Sequence, residues 1–494
     1  MFSAAALLPP VLFTGPPSAG AQAPISASVG TTPVGAPMPP GFVGVSLEYG
    51  ALHVYTGRDP NAINPVFLNL MAGLAHGDSP VLRIGGNSAD ATWWPMRGVI
   101  PPGGVSYALN PGWLRTTHAL AAALGARLIV DINLASGRPA LAAAEARAIL
   151  RGVGRNYIEA LEVGNEPDLY SLFPWYHNRH HRAFYARSSS YDLAALTSEV
   201  SRWRAALPTI PLAGPSLANL TWLSGLQQFI AAQPTLGIVT VHRYPLRAGV
   251  SDRTSPLYPS VANLLGDQSS AAIAQAVAPF AAQAHADSLP FRVDEMNSAS
   301  HSGQKGLSNT FASALWVLDT MFNLASVGVD GVNVHSLPWA RYELFSFHHP
   351  KHQRWSAFVH PEYYGMLMFG QAFPSNAQLL PVTAPAGPVK IWATSASGSS
   401  GPGASTVTRV VLINKDTVNP HEVQLQVPGA ASGTLEWLMA PSVTSLSGVT
   451  LGGQSFGTST TSGTLGPAQT QSTFATGGAY SITLPPASAV LLTQ

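Results

Sequence analysis

Eight times between residues 41 and 373, a short β-branched or apolar run ends in polar or glycine residues. The runs are GFVGVSLEYG, SPVLRIGGNS, ARLIVDINLAS, YIEALEVGNEP, IPLAGPS, GIVTVHRYP, FRVDEMNS and GVNVHSLPW, and most are followed by an Ala/Leu-rich segment such as RTTHALAAALG or LAALTSEVSRWRAAL. Strand-then-helix alternation repeated eight times is the pattern of a (β/α)8 TIM barrel. The span also suits that fold, which takes about 250 residues and more with insertions. A doubly wound open sheet is the alternative, but it ordinarily carries a Gly-rich phosphate loop after its first strand, and GFVGVSLEYG is not one.

Residues 374–494 change character. Ala, Ser, Thr, Gly and Val dominate, and TRVVLINK, EVQLQV, GTLEWLM, AYSITL and SAVLLT read as short strands separated by turns. That predicts a C-terminal antiparallel β-sandwich. The low-complexity piece GGQSFGTSTTSGTLG (452–466) reads as a loop. Residues 24–40 are extended and Pro-rich, and their ISASV is positioned to add a strand to the sandwich. Residues 1–23 are apolar, Pro-broken and closed by Ala21-Gln22-Ala23. Such a segment is expected to act as a signal peptide and to place the protein outside the cell or in the periplasm. No stretch is long and apolar enough to be expected to span a membrane.

Composition removes several functions. The chain of 494 residues has no cysteine, which excludes disulfides, thiolate metal sites and a cysteine nucleophile. Only 10% of its residues are charged and the formal net charge is +1, so no global field steers it to nucleic acid or anionic lipid. No basic run with interleaved aromatics points to a nucleic-acid interface.

In a (β/α)8 barrel the chemistry collects at the C-terminal ends of the strands. Those ends carry Glu48, Arg83, Asn87, Asn133, Asn165, Glu166, His242, Tyr244, Asp294, Glu295 and His335. Glu166 follows EVGN at the end of the fourth strand, and Glu295 follows RVD at the end of the seventh, 129 residues later. Either glutamate alone would read as a surface carboxylate or an ion-pair partner. Together they face across one barrel mouth, and two convergent carboxylates are what cleavage of a glycosidic bond requires. Asn165 offers a donor and an acceptor to a sugar hydroxyl. Pro167 is expected to hold Glu166 extended. Tyr244 is placed to hydrogen-bond a nucleophilic carboxylate, or else to pack as an aromatic. Arg83 is placed to pair with Glu295 and keep it ionised, or to form a structural ion pair. Glu162 is expected to be structural.

Other motifs carry weaker signals. RIGGNSAD has no following GK[ST] and so is no phosphate loop; its glycines let backbone approach a ligand beside Asn87. Trp93 and Trp94 are candidates for stacking on a sugar ring or for core packing. RYELFSFHHPKHQRW gathers Arg341, His348, His349, Lys351, His352 and Arg354. Its spacing fits no common zinc pattern, so it reads as a solvated basic loop placed to rim the mouth and attract an acidic sugar. Ser298 and Ser300 fall in no triad order, which disfavours a serine hydrolase.

The set GVSLEYG, LRIGGNSAD, VGNEPDLY, VHRYP, DEMNSAS with GQKGLSNTFASALWVLD, and VNVHS resembles glycoside hydrolase family 79. This is the β-glucuronidase and heparanase family within the clan of retaining (β/α)8 glycosidases. The resemblance implies that Glu166 is the acid/base and Glu295 the nucleophile. It implies that Asn165 meets the sugar 2-hydroxyl, that Tyr244 sits by the nucleophile and that Glu48 holds the far side of the glycon. Tyr342 is implied at the uronate carboxylate, with backbone amides around Gly303 assisting, and no metal or organic cofactor is implied.

The expected activity is that of a retaining exo-β-glucuronidase acting on a glucuronic-acid-containing glycan or glycoside. Alternatives are a β-glycosidase of another specificity (4-O-methylglucuronide, β-xyloside or β-glucoside), a heparanase-like endo-enzyme, and a carbohydrate-binding protein without chemistry. With only four lysines, the chain is poorly furnished to grip a sulfated polymer.

Overall fold

The computed structural model describes residues 23–349, 354–397 and 406–494. Eight parallel strands close a barrel in chain order: Val43–Glu48, Val81–Gly85, Arg127–Ile132, Ile158–Val163, Leu212–Leu217, Leu236–Arg243, Phe291–Met296 and Gly331–Ser336. They are called the first to eighth strands below. Closure of the eighth strand onto the first, pairing Val332 with Val43, rules out the open sheet.

The strand pleat explains the arrangement of side chains. Val45, Leu47, Leu82, Ile84, Val130, Leu161, Val239, Val241, Val293 and Val334 belong to the large apolar cluster shared with the surrounding helices. The residues between them on the strands turn inward. At the base of the barrel these are Val81, Ile129, Ala160, Ala213 and Ile238, a small separate cluster. One layer up they are Ser46, Arg83, Asp131, Glu162 and Thr240, all buried. The barrel therefore replaces the usual branched aliphatic layer with a polar one beneath its mouth.

Two irregularities aim residues at that mouth. Val241 pairs with Val293 and His242 with Glu295, so Asp294 is an extra residue that lets two consecutive carboxylates turn inward. On the fifth strand Pro215 pairs with Thr240 and Leu217 with Val241, leaving Ser216 as the extra residue, in the left-handed region at φ 58°.

Helices follow the strands and bury their apolar faces on them. The helix Pro111–Leu124 shows why it starts and stops: the Asn110 side chain accepts from the Trp113 amide, and Gly125 ends it in left-handed conformation at φ 59°. Among the described residues, no helix is long and apolar enough to cross a membrane.

The C-terminal part is two packed sheets. Strands Thr406–Asn414, His421–Gln426, Ser432–Met439, Ala479–Leu484 and Ser488–Thr493 form where TRVVLINK, EVQLQV, GTLEWLM, AYSITL and SAVLLT lie. Further strands at Gln378–Leu380 and Val389–Ser397 extend the larger sheet, which has seven strands. Ile25–Val29 runs parallel to His421–Gln426 in the smaller sheet of four. Residues 1–22 lie outside the described residues.

The larger sheet is covered on both faces. Val410 and Leu412 face the smaller sheet, while Val411 and Ile413 join the barrel's cluster. Trp392 stacks on Phe322 of the helix Phe311–Ser326, with ring centroids 5.5 Å apart, and donates a 2.9 Å hydrogen bond to Asp319. Lys415 from the sandwich pairs with the same buried Asp319 and donates to Ser270 at 3.1 Å. The loop at 452–466 is also docked, with Asn69 donating to the Ser462 carbonyl at 2.8 Å.

Breaking a buried pair from one side leaves an uncompensated charge, at a cost of about 3–5 kcal/mol, whereas removing both partners costs less. Lys415→Ala is therefore expected to lower the melting temperature clearly. The double change Asp319→Asn/Lys415→Met, which keeps an acceptor for Trp392, should recover most of the loss, as read by thermal unfolding of the three proteins side by side.

Candidate active site

A cleft of about 650 Å³ opens at the C-terminal ends of the strands. Its lining includes Glu48, Asn87, Asn165, Glu166, Tyr244, Glu295 and Tyr342. These are seven of the nine sequence-derived site residues. Arg83 and Gly303 do not line it. Arg83 is fully buried beneath the floor, and Gly303, at φ 76°, backs the Tyr342 ring, where a Cβ would come within 3.0 Å.

Arg83 organises the floor. Its guanidinium donates to Glu162 at 2.7 Å, Asp131 at 2.8 Å, Asn165 at 2.9 Å and Glu295 at 2.6 Å. Asp294 lies 3.5 Å from it. Glu162 also accepts from Thr240 at 2.6 Å, so the barrel interior uses this glutamate as an anchor for the arginine. Burial works against the charge of Glu162, but the Arg83 guanidinium against it overcomes burial and keeps its carboxyl well below the usual range. Burial, reinforced by the charge of Glu162, pushes Asp131 and Asp294 well up.

Glu295 receives Arg83 on Oε2 and the Tyr244 hydroxyl on Oε1, the latter at 2.8 Å. His335 Nδ1 is 3.8 Å from it. Burial would raise this carboxyl; His335, His242 and Arg83 outweigh burial and hold it well below its ordinary value. Glu295 is thus fixed at both oxygens, with its charged form favoured.

Glu166 is held differently. Its amide donates to the Ser216 carbonyl at 3.0 Å, and its Oε1 meets His242 Nδ1 at 3.0 Å. The expectation that Pro167 keeps Glu166 extended is overturned: Glu166 sits in the left-handed region at φ 48°, ψ 55°. Gly164 before it, at φ 82°, helps the chain turn sharply inward, and the Ser216 contact fixes the result. The glutamate side chain is 17% exposed against 8% for Glu295.

Sequence reasoning counted His242 among the strand-end residues but gave it no role; it lies one residue before the end of the sixth strand. It sits between Glu166 and Ser216, whose Oγ is 3.0 Å from Nε2, with Asp294 at 3.6 Å. Burial would lower it, yet Glu295 and the Glu166 contact raise it to about 9. Asp90 is a second omission: it accepts from Tyr170 at 2.6 Å and from the amides of Leu134, Ala135 and Asn165. Both act through contacts distant in sequence, which no local motif marks.

The remaining expectations are placed as follows. Glu48 accepts from the amides of Asn87 and Ser88, at 3.2 and 2.7 Å, and a Cβ at Gly86 would collide with its carboxylate. The glycines of RIGGNSAD thus make room for a protein carboxylate. Trp93 and Trp94 do not reach the cleft; Leu169, Phe173, Pro174 and Trp175 form its aromatic and apolar wall instead. In the histidine-rich segment, Lys351 and His352 lie outside the described residues. Arg341, His348, His349 and Arg354 do not line the cleft, and His349 stacks on Trp355. Among the described residues, the basic groups that line the cleft are His242, Arg243, Arg247, His301 and His335.

One donor atom from each of Glu166, His242 and Glu295 lies within 4.8 Å of the others, and the same holds for Glu162, His242 and Asp294. Such atoms are close enough to share a cation, but Arg83 and the raised His242 already bring positive charge to both groups.

A histidine raised in the folded state stabilises most where the unfolded histidine is also protonated. The contribution of His242 should be complete below about pH 6.5 and fade as pH rises through about 9. The difference in melting temperature between the native protein and His242→Gln is expected to follow that course. A difference that is flat or grows with pH would count against a protonated His242.

Three comparisons with known proteins bear on this arrangement. Residues 401–491 match the family described as glycosyl hydrolase family 79 C-terminal beta domain. No curated protein matches the sequence. A 4-O-α-L-rhamnosyl-β-D-glucuronidase from Fusarium oxysporum 12S shares the fold at 20% identity and a TM-score of 0.69, covering 95% of this chain and 100% of that one. A GH51 arabinofuranosidase from Xanthomonas axonopodis pv. citri does so at 15% identity and 0.64, with coverages of 95% and 99%. At these identities the likeness speaks for fold. Joined to the family match, it identifies the chain as a glycoside hydrolase whose sandwich is a glycosyl hydrolase family 79 C-terminal β domain.

Proposed function

We propose that the protein is a retaining, exo-acting β-glucuronidase in which Glu295 is the nucleophile and Glu166 the acid/base. The observation that carries this reading is the pair of carboxylates with unequal surroundings, one oxygen of each within 4.8 Å of the other. That spacing favours retention, which uses carboxyls about 5–5.5 Å apart, over inversion at about 6.5–9.5 Å, where a water must fit between them.

The steps balance as a double displacement. Glu166 gives its proton to the glycosidic oxygen as Glu295 attacks the anomeric carbon, and the aglycone leaves as an alcohol. Glu166 then takes a proton from water, whose oxygen displaces Glu295 and frees the sugar. Arg83 and Tyr244 hold Glu295 ionised and aimed; His242 holds Oε1 of Glu166 and leaves Oε2 for the leaving oxygen. For glucuronate, the support is His335, whose ring centroid lies 5.9 Å from that of Tyr342, together with His301 in the same cleft lining.

On an aryl β-glucuronide, Glu295→Ala is expected to abolish turnover. Glu166→Ala should lower kcat/KM about 10²–10⁴-fold, least for the best leaving groups. Proton NMR should show the β-anomer of the sugar released first. Near-normal turnover in either variant would sink the assignment. Comparable kcat/KM on aryl β-glucosides, β-xylosides and 4-O-methylglucuronides would sink the choice of sugar.

A further inference from the structure

The wall around Glu166 has two chemically distinct faces. One comes from the segment just after it: Leu169, Phe173, Pro174 and Trp175 line the cleft. The Trp175 indole is fixed by a 2.9 Å hydrogen bond to the Asp90 carbonyl, and Phe173 is 48% exposed. An exposed phenylalanine beside a fixed indole at a cleft rim offers a ready surface for an apolar ring.

The other face is Arg243, next in chain to the histidine that holds Glu166. Its one hydrogen bond among the described residues is from Nη1 to the Ala218 carbonyl at 3.1 Å. Its Nε is buried without a partner, and no carboxylate of the described residues pairs with it. Burial lowers its pKa with no acidic neighbour to compensate. Arg83, by contrast, is met by carboxylates on each side. A half-buried guanidinium at a cleft wall without a counter-ion is open to receive one from a ligand. Arg247, four residues on and exposed, lines the same cleft.

Taking Glu166 as the proton donor of the proposed reaction, both faces belong to the leaving-group side. We propose that this subsite selects an aglycone with an apolar ring face and an anionic substituent, the ring lying against Phe173 and Trp175 and the anion meeting Arg243. An aromatic acid and an acidic sugar share that chemistry.

The test compares 4-carboxyphenyl and 4-carbamoylphenyl β-glucuronides, which match in shape and differ in charge. The native enzyme is expected to prefer the carboxylate about tenfold or more in kcat/KM at low salt, with the preference shrinking as salt rises. Arg243→Gln should reduce it towards unity, while Arg243→Lys retains part of it and thermal melts check folding. Arg247→Gln, at an exposed position, should weaken it without affecting the fold. Equal rates on the two substrates, or a preference that survives both glutamine variants, would overturn the proposal. If neither glucuronide is cleaved, or Glu166→Ala cleaves both normally, it is the underlying reading that has failed. Disaccharides of glucuronic acid linked to a neutral hexose or to a second uronate then separate the two sources: faster cleavage of the uronate pair than of the carboxyphenyl substrate assigns the site to an acidic sugar, and the reverse to an aromatic acid.

Discussion

One guanidinium sets the terms for the whole barrel mouth. Arg83 is fully buried and touches carboxylates from the third, fourth and seventh strands while reaching Ser46 on the first. A charge so deep in a low-dielectric interior is tolerable only when its neighbours compensate it. Burial pushes Asp131 and Asp294 up, while positively charged neighbours hold Glu162 and Glu295 down, so the negative charge of the interior gathers on those two glutamates. Arg83 and the raised His242 then oppose those two negative charges. Remove Arg83 and neither the nucleophile candidate nor the strands that hold it would keep their present relation.

That dependence explains what the sequence made legible. The strands could be read because their outward residues are Val, Leu and Ile, and because Gly, Asn or Pro breaks each run at the mouth. Pairing of Arg83 with Glu295 was readable too, since strand ends in a closed barrel share one mouth. What stayed hidden was set by geometry with no local sequence cost. The bulge at Asp294 changes which residues face inward without altering the motif around it. The left-handed turn at Glu166 runs against what the following proline favours locally, and the distant Ser216 carbonyl holds it. The cleft wall lies in a segment whose aromatic residues show no periodicity, so the nearer Trp93 and Trp94 drew the reading instead.

The sandwich belongs to the same mechanical unit. Its larger sheet uses both faces, with Val410 and Leu412 inward and Val411 and Ile413 on the barrel. The helix it grips, Phe311–Ser326, leads directly into the eighth strand, which carries His335 to the mouth. Among the described residues none of the sandwich lines the cleft, so what the β domain is seen to contribute to the site is the fixing of this helix.

The position of His242 gives the proposed reaction a further economy of charge. Before the first step the negative charge is on Glu295 and the proton on Glu166; after it, the ester at Glu295 is neutral and Glu166 is the anion. A cation placed beside only one of them would favour one state and penalise the other. His242 lies between them, in contact with Glu166 at 3.0 Å and raised chiefly by the charge of Glu295. It is therefore placed to compensate the anion at either stage. Because its ring is locked by Ser216 on the other nitrogen, that compensation requires no reorganisation as the charge moves. Arg83 cannot play this part: it is committed to the floor and touches Glu295 alone of the two.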